Sequence, residues 1–291
     1  MTSSPGPAGQ AGPAAGPAAG LTIMAVHAHP DDEAIGTGGI LARYSAEGAR
    51  TVLVTCTNGE QGDGAGGVKP GEESHDPAEV AAVRLSELRT AAGILGISDL
   101  ELLGYRDSGM VGWAANTDPN VFCNVPLDVA AARISHLLKR YRPQVVVTYD
   151  DNGGYGHPDH IQAHRATMAA VEMAAAEDAT GTTKVYYTAL PKSAVATLRE
   201  QLVLSGADLE GQDFPEDFGT PDELVTTEVD VSGFVGQKIE ALNAHSSQTE
   251  NFFLNRLGED LVAKALSREW FTLRSAPPGF GGETDLFAGV R

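Results

Sequence analysis

The chain is poor in cysteine, with only Cys56 and Cys123 among its 291 residues. That is too few for a disulfide scaffold, and it sets a reducing, cytoplasmic location as the expectation. Positive charge is scarce too: 20 Lys+Arg stand against 39 Asp+Glu, a formal net charge of −19. A surface that acidic repels phosphate backbones and anionic headgroups, which argues against nucleic acid or a membrane surface as partner. No apolar run approaches the length of a membrane span, and the N-terminus lacks the basic start and apolar stretch of a signal peptide. Residues 1–20 offer little to bury. They are a low-complexity mix of Gly, Pro and Ala, read as a disordered tail before one domain over residues 21–291. Nothing in the pattern fixes an oligomeric state, and a homo-oligomer stays compatible with it.

What remains is 42% apolar, enough for a sizeable core. Short apolar runs at Leu21–Ala28, Arg50–Cys56, Leu100–Leu103, Gln144–Tyr149 and Lys184–Leu190 read as strands. Helical stretches at Ala34–Glu47, Pro77–Gly96, Pro126–Tyr141 and His157–Ala176 alternate with them. This alternation, with strands apolar throughout, predicts an α/β fold: a mostly parallel sheet covered by helices on both faces. Two long polar loops, Thr57–Asp76 and Gly104–Asn124, interrupt the core. Beyond Pro191 the pattern is less regular; strands at Leu224–Val231 and Glu269–Leu273 and a helix at Phe234–His245 form an extension that completes the pocket.

Two segments carry chemistry. His29-Pro30-Asp31-Asp32-Glu33 follows the first strand, and Tyr155-Gly156-His157-Pro158-Asp159-His160 follows the fourth. Ligands of open α/β sheets bind at the carboxyl ends of the strands, so both segments fall on one edge. One His-Pro-Asp would be a turn; two after buried strands supply the His/carboxylate set of a catalytic zinc site. A further carboxylate to take a proton and a spare histidine suit metal-assisted hydrolysis of an amide or ester. Against this, Asp31 can be read as a helix N-cap and Glu33 as a first-turn residue. His27 and His164 read as packing residues, His75 and His136 as surface residues, and Cys56 as an inert core thiol. The Gly36-Thr37-Gly38-Gly39 stretch lacks the full dinucleotide fingerprint.

The chain resembles the LmbE/PIG-L family of zinc-dependent deacetylases in "AVHAHPDDE" and "TYDDNGGYGHPDH", and further in "TCTNGEQGD", "RDSGM" and "AHSSQ". The resemblance covers about Leu21 to Met173 well and the remainder loosely. It implies a Rossmann-like fold. It also implies Zn2+ (or Fe2+, which the same donors accept) on His29, Asp32 and His160, with Asp31 as general base. His157 would stabilise or protonate the tetrahedral intermediate, Asp159 would orient it, and Tyr155 would polarise the carbonyl. Arg84 and Asp107 match positions that grip sugar and inositol hydroxyls. Within the family the chain is similar to two mycothiol-pathway branches, the N-acetylglucosaminyl-inositol deacetylase and the S-conjugate amidase. The implied reaction is removal of an acetyl group from an N-acetylglucosamine-type conjugate by metal-activated water. The amidase branch carries a lysine shortly after HPDDE; here Ala34-Ile35-Gly36-Thr37 stands there, and the deacetylase branch lacks the lysine too. "AHSSQ" is nearer the amidase, so amidase and deacetylase of another N-acetyl sugar stay open. A sugar-binding protein without catalysis would have a broken base or ligand set, and this one is intact.

Overall fold

The computed structural model describes residues 16–177, 181–204, 218–249, 258–274 and 281–290. Most of the N-terminal tail, residues 1–15, and residues 205–217 lie outside them. Residues 16–20 do not extend as a tail: Ala18 is buried and its N–H donates to the Glu47 carbonyl at 3.0 Å.

Seven strands form one sheet: β1 (Thr22–His27), β2 (Arg50–Thr57), β3 (Asp99–Tyr105), β4 (Val145–Thr148), β5 (Lys184–Ala189), β6 (Thr227–Asp230) and β7 (Arg268–Leu273). Their order is β3-β2-β1-β4-β5-β7-β6. The first five are parallel, while β7 runs antiparallel to both β5 and β6. The C-terminal part therefore continues the same sheet. Every residue of β1 is buried, as its central place requires. Its alternate side chains serve two cores. Met24 and Val26 face α4 (Leu127–Tyr141) and α6 (Pro158–Ala176), whose Ala163, Ala166, Ala170 and Ala174 form a row of small side chains. Ile23 and Ala25 share the opposite core with Ile40, Leu41 and Tyr44 of α2 (Gly38–Ala46) and Leu88 of α3 (Pro77–Ile94).

The expected helix Ala34–Glu47 is two helices, α1 (Asp32–Gly36) and α2, broken at Thr37. Glu269 of β7 causes the restart: its two carboxylate oxygens accept the Gly39 and Ile40 N–H groups at 2.7 and 2.8 Å, and buried Lys238 neutralises it at 2.6 Å. This satisfies donors that a helix start leaves free. A Cβ on Gly39 would stand 2.5 Å from Val231, so the glycine run serves packing. A turn of four residues, α5 (Gly153–Gly156), precedes α6. Helices α7 (Lys192–Leu204), α8 (Val235–Ala244), α9 (Ser246–Thr249) and α10 (Glu259–Ala265) complete the described fold. The chain moves outward from β1 through β2 to β3, then crosses back to lay β4 on the other side of β1. The crevice for a ligand in such sheets lies at that switch, between the carboxyl ends of β1 and β4.

Candidate metal centre

His29 and Asp32 leave the end of β1, and His160 enters from the first turn of α6 beyond β4. Three of their atoms converge. His29 Nδ1 lies 3.2 Å from His160 Nε2, His29 Nδ1 lies 3.3 Å from Asp32 Oδ2, and His160 Nε2 lies 3.4 Å from Asp32 Oδ2. Donors on a tetrahedral zinc, each about 2.0–2.2 Å from the ion, stand about 3.3–3.5 Å from one another. The outer nitrogens fix where the protons are. His29 Nε2 faces Asp159 Oδ2 at 3.3 Å and Asp107 Oδ1 at 3.4 Å. His160 Nδ1 faces the Gly153 carbonyl at 3.1 Å. Those partners accept, so each ring keeps a proton on its outer nitrogen, and the two inner nitrogens and a carboxylate oxygen face one point. Such a donor set fits a divalent cation. Burial disfavours charge on His29, but Asp107, Asp159 and Asp32 outweigh it and raise its pKa well above the usual value. Burial likewise opposes ionised Asp32, yet His160 and His29 hold its carboxyl well below the ordinary range.

Gly153 makes this convergence sterically feasible. Its φ is +64°, and a Cβ there would stand 2.6 Å from the His160 Cβ. Only a residue without a side chain lets the turn after β4 close over α6.

Asp31 occupies the N-cap position of α1, but its side chain caps nothing. Its backbone is held at φ 101°, a region that costs a non-glycine residue strain and that concentrates at functional sites. Its N–H donates to Glu33 Oε2 at 3.0 Å, and Glu33 Oε1 lies 2.7 Å from Nε2 of fully buried His245. The Asp31 carboxylate accepts from Arg84 at 3.0 Å, and the same guanidinium donates to the Pro30 and Gly59 carbonyls, both at 2.6 Å. Burial raises the Asp31 pKa, the Arg84 charge works against it, and Asp32 adds to it.

The structure places the other sequence-derived candidates around this core. His157 Nδ1 accepts the Asp159 N–H at 3.2 Å, which leaves its proton on Nε2. Burial, then the neighbouring His29 and His160, push its pKa down to about 3. At neutral pH it is thus a neutral donor and holds no spare proton. The Asp159 carboxylate turns to His29 instead of His157, and it also accepts the Ser108 N–H at 2.8 Å. Asp107 is buried as well. It accepts from Gly109 at 2.8 Å and from Gln61 at 3.3 Å besides facing His29. Arg84 and Asp107 are therefore tied to Asp31 and His29 through the contacts above. Tyr155 stands at the rim, 51% exposed, its ring centroid 5.0 Å from that of His160.

Sequence reasoning passed over Tyr149. Tyr149 donates to Asp32 Oδ2 at 2.7 Å; it sits at the end of β4, a position that marks site residues in this fold class. The Glu33–His245 pair joins the first motif to the C-terminal "AHSSQ". Gln248 of that stretch exchanges two hydrogen bonds, each 3.0 Å, with the backbone of Asp63 in the long loop after β2.

The model of the family described as PIG-L, GlcNAc-PI de-N-acetylase, matches residues 24–171. The chain is 42% identical, over 92% of its length and 95% of the relative's, to a 1D-myo-inositol 2-acetamido-2-deoxy-alpha-D-glucopyranoside deacetylase of Acidothermus cellulolyticus. It is 41% identical to the protein of the same name from Thermobifida fusca, over 91% and 98% of the two lengths. Among solved structures it is similar to the N,N'-diacetylchitobiose deacetylase of Pyrococcus horikoshii, with TM-score 0.60, 18% identity, and coverage of 89% of this chain and 84% of that one.

Proposed function

The chain belongs to the PIG-L family of GlcNAc-PI de-N-acetylases, and from that premise we propose that it removes the acetyl group of N-acetylglucosaminyl-inositol, using zinc held by His29, Asp32 and His160. The observation that carries this is the triangle formed by His29 Nδ1, His160 Nε2 and Asp32 Oδ2 at the spacing of metal donors. The names of the relatives support the sugar–inositol substrate.

Bound there, a divalent ion supplies the positive charge that acidifies water and polarises the acetamide carbonyl. The chain's own groups do the rest. Asp31 Oδ takes the proton of the attacking water; Arg84 orients the carboxylate and burial strengthens it as a base. As negative charge grows on the carbonyl oxygen, the His157 Nε2–H donates to it, and the Tyr155 hydroxyl at the rim donates from the solvent side. Asp31 then returns its proton to the departing amine, because His157 carries only the proton it donates. Asp159 and Asp107 hold the His29 ring so that its Nδ1 stays turned inward.

The test is release of free amine from N-acetylglucosaminyl-inositol by zinc-loaded protein, with Asp31→Ala as control. Efficient release by the wild type and loss of at least about 100-fold in the variant, with zinc still bound, is expected. No release from folded, zinc-loaded wild type, with cleavage of a mycothiol S-conjugate or another N-acetyl sugar instead, would overturn the substrate assignment. Near wild-type turnover in Asp31→Ala would overturn the base.

A further inference from the structure

Two buried or half-buried histidines take no part in the chemistry above, and both converge on one residue. His27 Nδ1 lies 3.3 Å from the Tyr149 hydroxyl, and His164 Nδ1 donates to the Tyr149 backbone carbonyl at 2.8 Å. The far side of His27 is fixed as well: the Thr37 hydroxyl donates to the Glu33 carbonyl at 3.0 Å, so it accepts from His27 Nε2, 2.8 Å away. That places the His27 proton on Nε2 and fixes the ring, which packs edge-on against the Tyr149 ring with centroids 5.5 Å apart.

Tyr149 in turn touches two of the three proposed ligands. Its hydroxyl accepts the Ala28 N–H at 2.8 Å and donates to Asp32 Oδ2 at 2.7 Å, the same oxygen that faces both imidazoles. Its ring lies flat on the His160 ring, with centroids 4.2 Å apart and planes 18° apart. One side chain thus sets the direction of the carboxylate donor and the plane of an imidazole donor.

We propose that Tyr149 is a positioning residue of the metal centre. Its hydroxyl aims Asp32 and its ring sets the plane of His160, while His27 and His164 lock it in place. The proposal rests on the reading that His29, Asp32 and His160 bind the metal. It assigns a task to histidines that ligand counting leaves over.

The experiment measures zinc affinity by competition with a chromophoric chelator for wild type, Tyr149→Phe and His160→Ala, and the visible spectrum of each Co2+ form. Tyr149→Phe keeps the ring and removes one oxygen. Loss of a partner that orients a metal ligand weakens binding by about 10–100-fold, so a Kd raised at least about tenfold and a shifted cobalt spectrum are expected. A Kd within about twofold of wild type and an unchanged spectrum would overturn the proposal. His160→Ala separates the two readings. If it binds zinc as the wild type does, the metal centre itself falls; if it loses zinc while Tyr149→Phe keeps it, only the role of Tyr149 falls. Should Tyr149→Phe not fold, Thr37→Val releases His27 from its far anchor. Weakening by about threefold or more then supports the chain of contacts, and unchanged affinity overturns it.

Discussion

At the scale of single residues, Asp31 shows how a side chain freed from structural duty becomes available for chemistry. An aspartate before a helix ordinarily caps it. Here the backbone is turned to φ 101°, the cap bond is absent, and the carboxylate meets Arg84. The motif singled out Asp31 as the candidate base. The left-handed backbone that frees it was not legible, because it depends on Glu33 and on His245, 212 residues further along. Arg84 is the other residue on which this corner turns. Its guanidinium is buried and satisfies two carbonyls and Asp31 together. Arg84→Met is expected to leave those carbonyls without donors and to destabilise the metal-free protein by about 2–3 kcal/mol, read as a lower urea midpoint. Its amine release is expected to fall as well, since Asp31 loses the group that orients it.

At the scale of elements, the turn between β4 and α6 sets the distance between the two halves of the site. Its glycine at 153 lies against His160. Gly153→Ala is expected to push α6 away and cost most of the zinc affinity while the sheet still forms; equilibrium dialysis together with circular dichroism checks both. The tie between β7 and α2 makes a second prediction. Glu269→Ala would leave Lys238 buried and charged without a partner and the N–H groups of Gly39 and Ile40 unsatisfied. Breaking one side of a buried pair costs about 3–5 kcal/mol, so a large loss in chemical denaturation is expected. Lys238→Met added to it is expected to recover part of that loss.

The alternation of short apolar runs with amphipathic stretches was readable through α6, because local pattern determines those elements. The break at Thr37 was not readable, since the carboxylate that starts α2 comes from β7. Helix α7 was missed for a related reason: only Val195 and Leu202 of its residues are buried, so its apolar stripe is thin.

At the scale of the whole molecule, the site lies where the strand order reverses, and the β1–β4 register brings the ends of those strands side by side. A cation held between them would join segments 131 residues apart in the chain. Because the unfolded chain has no such preformed site, metal binding adds directly to stability. Removing the metal with a chelator is therefore expected to lower the melting temperature, and adding back zinc to restore it. An unchanged melting curve would mean that these donors hold no ion.

The sequence by itself determined the fold class, the strand ends at which chemistry is placed and the residue types gathered there. These follow from apolar periodicity and from two compact motifs, each local in the chain. Tertiary structure alone decided which nitrogen of each histidine faces inward, that Asp159 serves His29 instead of His157, and that Tyr149 reaches Asp32. Those outcomes depend on distances of a few ångströms between residues far apart in sequence, which only the packing of the sheet against its helices can set.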